Sequence, residues 1–147
     1  MKISIASDHG GFDLKQSVID HLLENEEIEV TDCGTFGKDS CDYPLFGEKA
    51  ARLVSEGDCD FGIVICTTGE GMAITANKVK GVRCALCINL DMAQFCRLHN
   101  NANVISIGAK YVDNDLANQI VDTFLTTQFE GGRHNRRVDQ IMSLEAK

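Results

Sequence analysis

The chain has 147 residues, enough for one domain with a hydrophobic core and too few for two ordinary domains. Its content of 44% hydrophobic and 24% charged residues is typical of a soluble globular protein. The formal net charge of -8 argues against nucleic acid and anionic membranes as partners, and no apolar run approaches the length that a bilayer requires. We therefore predict a single domain over residues 1–147.

The seven cysteines indicate a reducing environment. Their number is odd and they are scattered, which suits the cytosol better than a disulfide framework. The first residues, MKISIAS, lack the long apolar core of a signal peptide, so a cytoplasmic protein is expected. Cys84 and Cys87 form a CxxC pattern, but alternation along an apolar strand sends them to opposite faces. A zinc site is therefore not expected.

Short apolar runs alternate with segments of helical spacing along the whole chain. Strands are predicted at residues 2–6, 28–33, 61–65, 82–88 and 104–107. Helical patterns follow each of them, with Pro44 in the first turn of the second helix and the fourth helix running from Asp91 to about Leu98. A last helix begins after Gly131-Gly132. This alternation predicts an α/β fold: a doubly wound, Rossmann-like or flavodoxin-like parallel sheet of about five strands, with a C-terminal helix.

The segment 61–73, FGIVICTTGEGMA, is the centre of the prediction. It is typical of a buried strand that ends at Cys66 and enters a glycine-bearing loop and then a helix, whose first amides favour an anion. A nucleophile or base beside an anion pocket is one interpretation, and a cysteine that only packs is the other. A cysteine-dependent phosphatase would need arginine at position 72, and a dinucleotide fingerprint would need a small residue at position 74. Met72 and Ile74 exclude both.

Other polar residues follow the first two strands. Asp8 and His9 come after the first, and Asp42 and Tyr43 lie in the loop after the second, so both pairs can converge with Cys66 at the carboxyl edge of the sheet. The segment 99–100, His-Asn, follows a helix and precedes the fifth strand, which predicts the opposite edge. These two residues either serve a site completed by a second subunit or simply cap the helix.

The segment GGRHNRR at 131–137 concentrates positive charge at the start of the last helix. Cations there oppose the helix dipole unless an anion is bound, and Arg133 and Arg137 lie four residues apart on one helix face. Guanidinium groups match phosphate oxygens well. We therefore predict a phosphate site, with a solvated basic patch as the alternative.

Six segments stand in order along the chain: SDHGGF at 7–12, DYP at 42–44, CTTGEGM at 66–72, ANK at 76–78, HNNANV at 99–104 and EGGRHNRRV at 130–138. Each is weak alone, but their order and spacing together are highly specific. On these segments the whole chain resembles the ribose-5-phosphate isomerase B family, within a wider group that includes the galactose-6-phosphate isomerase subunits. The resemblance implies aldose-ketose isomerisation of a phosphorylated sugar through an enediolate, without metal, nucleotide or other cofactor.

The resemblance also implies a role for each matched residue. Cys66 matches the base that moves a proton between C1 and C2, Thr68 the hydroxyl that assists at the substrate oxygens, and His99 the residue that opens the furanose ring. Asp8 matches a polar contact at the other end of the sugar. The remaining matches bind the substrate: backbone amides of Gly69, Glu70, Gly71, Met72 and Ala73 for the enediolate; Asp42, Tyr43 and Asn100 for the sugar; His9, Arg133 and Arg137 for the phosphate. The family is dimeric with shared sites, and pairing of dimers into a tetramer stays open.

Three positions qualify the resemblance. Some members use a glutamate as base, at the position of Met72 here, so Glu70 is not expected to replace Cys66. Thr67 stands where some members have glycine, and Lys110 where some have a phosphate-binding arginine; lysine keeps the charge but loses the fork. Ribose 5-phosphate is the predicted substrate. A six-carbon substrate such as allose 6-phosphate or galactose 6-phosphate, and a phosphosugar-binding module without catalysis, are the alternatives.

Overall fold

Five strands and six α-helices alternate in the computed structural model, which describes residues 1–146. The strands are β1 (Lys2–Ser7), β2 (Glu29–Asp32), β3 (Phe61–Cys66), β4 (Cys84–Leu86) and β5 (Val104–Gly108). The helices are α1 (Phe12–Leu23), α2 (Tyr43–Ser55), α3 (Glu70–Asn77), α4 (Leu90–Asn100), α5 (Asn114–Thr126) and α6 (Arg133–Ser143), and a 3₁₀ turn follows at Leu144–Ala146. No helix in this part of the chain has the length and apolar character needed to cross a membrane.

The strands form one parallel sheet in the order β2–β1–β3–β5–β4. Helices cover both faces: one apolar cluster holds the buried sides of α1, α4 and α5, and a second holds those of α2 and α3. The central strands β1, β3 and β5 are therefore buried on both faces, which explains their nearly continuous apolar sequences. The predicted doubly wound parallel sheet of five strands is confirmed.

The CxxC pair lies as alternation predicts. Cys87 is fully buried in the cluster with α1, α4 and α5, whereas Cys84 packs against the cluster on the opposite face. All seven cysteines are free.

Most element boundaries lie within one residue of the prediction, and two elements, β4 and α4, differ by more. β4 is shorter than the predicted 82–88 because it lies at the edge of the sheet and pairs only with β5. α4 is longer than predicted and runs through Asn100; it ends at Asn101, whose left-handed φ of 46° closes the helix. His99 and Asn100 are therefore in the last turn of α4, and Asn101 is the cap.

Backbone hydrogen bonds join the loops at the carboxyl edge of the sheet. Asp8 N donates to Ile65 O (3.0 Å), Ala109 N donates to Cys66 O (2.9 Å), and Lys110 N donates to Thr67 O (2.9 Å). The loops after β1, β3 and β5 are thus fixed to one another. This edge is where ligands bind in open α/β sheets.

Candidate functional site

Cys66 is the last residue of β3 and lies at the base of the loop that leads into α3. Its side chain is 5% exposed, and its sulfur accepts a hydrogen bond from the backbone amide of Gly69 at 3.1 Å. Gly69 makes this turn in a left-handed conformation (φ 81°), where glycine is favoured, and its carbonyl accepts a hydrogen bond from Ser106 Oγ at 2.5 Å. The loop thus holds an amide donor against the sulfur, which stabilises negative charge there.

The amides that follow divide into two groups. Glu70 N donates to Thr68 Oγ1 (3.3 Å) and Ala73 N donates to Gly69 O (3.0 Å), so both have acceptors within the chain. The amides of Gly71 and Met72 have no acceptor among the described residues, since they lie in the first turn of α3. Two free donors therefore remain near Cys66 at the start of a helix, where an anion is favoured.

The loop after β1 lies directly against the loop after β3. A Cβ atom added to Gly10 would come within 2.5 Å of Thr67 Oγ1, so the Gly10 backbone lies close against the Thr67 side chain. Asp8 is 6% exposed, and its Oδ1 accepts a hydrogen bond from Gly11 N at 2.7 Å. His9 is exposed in the same loop. Asp8 and His9 are therefore next to the Cys66 loop, as the sequence predicts.

Tyr43 and Lys110 also belong to this edge. The Tyr43 ring covers the first turn of α3, because a Cβ atom on Gly71 would come within 2.5 Å of its hydroxyl oxygen. Asp42 precedes Tyr43 as the N-cap of α2 and is exposed. The backbone amide of Lys110 donates a hydrogen bond to the Thr67 carbonyl, and the Lys110 side chain is exposed. The Cys66 half-site, as we call it, consists of Asp8, His9, Asp42, Tyr43, Cys66 to Ala73 and Lys110.

The remaining predicted residues form a separate group, which we call the His99 half-site. His99, Asn100, Arg133, His134 and Arg137 line a cavity of about 430 Å³ between the end of α4 and the start of α6. Arg137 Nη1 donates to Arg133 O at 3.4 Å, and both arginine side chains are exposed on one side of α6.

The two half-sites lie at opposite edges of the sheet. The connection after α4 reaches the beginning of β3, where Gly62 N donates to Asn103 O at 3.0 Å. In the paired strands β3 and β5, Gly62 lies beside Val104 and Cys66 beside Gly108. Four residues of strand therefore separate the two edges, which is about 13 Å at a rise of about 3.3 Å per residue. The predicted position of His99 and Asn100, away from the Cys66 edge, is what the structure shows.

The end of α4 is held firmly by two arginines. Arg83 Nη2 donates to Asn101 O at 2.8 Å, and Arg97 Nη1 donates to Ala102 O at 2.6 Å. Arg97 is buried, and its guanidinium lies over the rings of Phe61 and Phe124, with 4.9 and 5.7 Å to the centroids. The last turn of α4 therefore presents its side chains from a rigid base.

Two residues that contact His99, namely His134 and Glu130, received no role from the sequence. His134 stacks on His99 with ring centroids 4.3 Å apart and an interplanar angle of 14°, and Glu130 Oε2 lies 3.9 Å from His99 Nε2 and 3.6 Å from His134 Nε2. Glu130 lies four residues before His134, outside α6 and separated from it by Gly131 and Gly132, and nothing in the sequence links the two residues to His99. That link depends on how α6 packs against α4.

These three side chains offer metal-ligand atoms within 4.8 Å of one another. An imidazole nitrogen coordinates through a lone pair in the plane of its own ring, and two nearly parallel rings 4.3 Å apart cannot both direct that lone pair at one ion. The observed arrangement is therefore a stacked pair with a carboxylate beside it, and one ring would have to rotate before both could bind a metal.

Comparison with known proteins gives a consistent match over the whole chain. The family model described as Ribose/Galactose Isomerase matches residues 3–141. Ribose-5-phosphate isomerase B of Escherichia coli (strain K12) is 42% identical over 146 residues, which cover 99% of this chain and 97% of that protein.

Solved structures agree with the sequence comparison. A structure of Clostridium thermocellum ribose-5-phosphate isomerase B superposes with a TM-score of 0.96 at 51% identity, covering 99% of this chain and 98% of that one. A structure of the Mycoplasma genitalium protein of the same name, with bound ribulose-5-phosphate, superposes with a TM-score of 0.92 at 41% identity, covering 99% and 97%. The chain therefore belongs to the ribose/galactose isomerase family.

Proposed function

We propose that the protein interconverts ribose 5-phosphate and ribulose 5-phosphate through an enediolate, with Cys66 as the base. The observation that carries this proposal is the Cys66 loop, where the sulfur accepts the Gly69 amide and the amides of Gly71 and Met72 are free to bind an oxyanion. The similar proteins named ribose-5-phosphate isomerase B, one of them with ribulose-5-phosphate bound, support the choice of substrate.

The proton transfers follow from these positions. The Cys66 thiolate removes the proton from C2 of the open-chain aldose, and negative charge moves to O1, where the Gly71 and Met72 amides stabilise it. Cys66 then returns a proton to C1. The O2 proton passes to O1 through the hydroxyl of Thr68, which leaves a ketone at C2. Because Thr68 Oγ1 already accepts the Glu70 amide, its own proton is free to point at the substrate.

The other residues hold and prepare the sugar. His99 opens the furanose ring, Asp8 contacts the sugar hydroxyls through the carboxylate oxygen that Gly11 does not use, and Asp42, Tyr43 and Asn100 position the chain of carbons. Arg133, Arg137 and His9 bind the phosphate, with Lys110 as a further cation. Since the His99 half-site and the Cys66 half-site lie at opposite edges of the sheet, a second copy of the chain supplies the His99 half-site, and each dimer has two shared sites. The free cysteines support the predicted cytoplasmic location.

The test is isomerase activity of the purified protein on ribose 5-phosphate, with allose 6-phosphate and galactose 6-phosphate in parallel and a chelator present. We expect a clear preference for ribose 5-phosphate, and a fall of at least about a hundredfold in kcat for Cys66→Ala, since general acid-base catalysis contributes at least that much. Cys59→Ala is the matched control, because Cys59 is a buried free thiol just before β3, at the opposite edge. Full activity of Cys66→Ala would refute the assignment of the base, and preference for a six-carbon sugar would refute the substrate.

A further inference from the structure

The His99 ring contacts two other rings. The Phe95 ring, one turn earlier in α4, lies with its centroid 5.0 Å from that of His99 at an angle of 47°. The His134 ring from α6 is stacked on His99 at 4.3 Å and 14°. Such contacts restrict rotation of the His99 side chain, which is still partly exposed at its edge.

His134 differs from His99 in its surroundings. It is 7% exposed, and its Nε2 is buried without a hydrogen-bond partner among the described residues. The pKa of His134 is lowered, first by burial and then by the nearby charge of His99, while Glu130 acts in the opposite direction and Arg133 and Arg137 lower it further. These influences together favour the neutral form of the His134 ring.

Glu130 holds the pair from the side. Its backbone amide donates to Leu98 O at 3.1 Å, which fixes it to the last turn of α4, and its carboxylate oxygen lies 3.9 Å from His99 Nε2. The same oxygen lies 3.6 Å from His134 Nε2, so one negative charge lies beside the Nε2 atoms of both rings.

We propose that His134 and Glu130 are positioning residues for ring opening: the stacked imidazole fixes the plane of the His99 ring, and the carboxylate orients its nitrogen edge. This inference rests on the proposed role of His99. Opening the furanose breaks the C1–O4 bond, removes the proton from the hydroxyl on C1 and adds a proton to O4. A group that transfers these protons must be held in a fixed orientation towards the two oxygens. Neither residue is proposed to contact the reacting carbon atoms.

Two reactions separate ring opening from the chemistry at Cys66. Isomerisation of ribose 5-phosphate begins from the closed furanose and needs both steps. Exchange of the C1 hydrogen of ribulose 5-phosphate with D₂O, followed by NMR at saturating substrate, needs only the proton transfer. Ribulose 5-phosphate cannot close a furanose ring because its 5-oxygen carries the phosphate.

The variants are His134→Leu, which removes the flat ring but keeps apolar volume, and His134→Phe, which keeps a flat ring. Because His134 Nε2 has no hydrogen-bond partner, phenylalanine loses little at this position. We expect His134→Leu to lower kcat for ribose 5-phosphate by about tenfold, a part of what acid-base catalysis contributes, while C1 exchange falls by less than about twofold. We expect His134→Phe to retain most of the isomerisation, and Glu130→Gln to lower it without lowering exchange.

Equal losses in both reactions for His134→Leu would show a merely structural role, and an unchanged rate in both would show no role; either result overturns the inference. If His134→Leu does not fold, the Glu130→Gln variant decides, because its rates of isomerisation and of C1 exchange are compared in the same way. His99→Asn is measured beside them as a reference. If His99→Asn still isomerises ribose 5-phosphate at the full rate, the proposed role of His99 itself is wrong; if only the His134 and Glu130 variants behave normally, the positioning role alone is refuted.

Discussion

Gly71 is a residue whose lack of a side chain the proposed site requires. It lies in the first turn of α3, offers one of the two free amides, and is covered by Tyr43, so that a Cβ atom would approach the tyrosine oxygen to 2.5 Å. In Gly71→Ala, either Tyr43 or the start of α3 must shift. We expect kcat/KM for ribose 5-phosphate to fall by about a hundredfold, because a displacement near 1 Å at a reacting group has an effect of that size.

Gly37→Ala is the control for this prediction. Nothing lies within 4 Å of a Cβ atom at Gly37, and its φ is not in the left-handed region. Both variants are assayed on ribose 5-phosphate, and circular dichroism checks that each is folded. Activity of Gly71→Ala within twofold of the parent would contradict the requirement for a close contact between Tyr43 and α3.

At the scale of elements, an ion pair with a buried lysine joins α1 to the last residue of β2. Lys15 is fully buried; its Nζ donates to Asp32 Oδ1 at 2.5 Å and to Thr35 O at 2.7 Å, and lies 5.5 and 5.2 Å from the ring centroids of Phe12 and Phe36. Thr35 N donates in turn to Ser7 O, the residue before Asp8. This pair therefore fixes the loop that leads to Asp42 against the loop that holds Asp8.

Lys15→Met should lower the free energy of unfolding by about 3 kcal/mol, because it leaves the Asp32 carboxylate without its cation, with only the Gly34 amide as donor, and the Thr35 carbonyl without its lysine donor. Lys38→Met is the matched control. Lys38 Nζ lies 3.0 Å from Asp13 Oδ2, but both side chains are largely exposed, and such a pair contributes less than about 1 kcal/mol. Urea denaturation at equal protein concentration measures both. If the two substitutions lower the free energy of unfolding equally, burial does not make the Lys15 ion pair more important for stability than the exposed Lys38 pair.

The elements were predictable where local pattern determines them. Leu14, Val18 and Leu22 recur at helical spacing and are buried in α1, and the apolar runs of β1, β3 and β5 reflect burial on both faces. β4 was predicted too long because its apolar flanks, including the buried Val82, pack as a loop beyond the short pairing with β5. Leu23, the last residue of α1, is apolar but 54% exposed, because it does not lie on the helix face that buries Leu22.

Some features of the site were likewise predictable from the order of the elements, and others were not. Cys66 at a strand end and His99 at a helix end were predictable because the edge of the sheet follows from chain order. The stack of His134 on His99 was not, because it depends on the angle at which α6 crosses α4, and no periodicity in either helix encodes that angle. Likewise, which amides are free at the start of α3 depends on the side chains that bend back to it, Cys66 and Thr68.

At the scale of the molecule, the separation of the half-sites determines the assembly that we expect. In a dimer with twofold symmetry, each site takes Cys66 and Thr68 from one chain and His99, Arg133 and Arg137 from the other. Three exposed apolar side chains, Leu90, Met92 and Phe95, lie on α4, the helix that carries His99, and a partner that contributes to the site would pass close to this helix. A single chain then has both halves of the chemistry but no complete site.

Subunit exchange tests this arrangement directly. Cys66→Ala and His99→Asn chains are each expected to be inactive in isomerisation, but a mixed dimer has one site with both residues intact and one with neither. After complete exchange of equal amounts, half of the dimers are mixed, so about a quarter of the parent activity should return. Mixing Cys66→Ala with Gly71→Ala, which damage the same half-site, should restore almost nothing. If mass spectrometry demonstrates mixed dimers of the first pair and their activity does not rise above that control, the site is not shared between chains, and His99 would have to reach Cys66 within one chain.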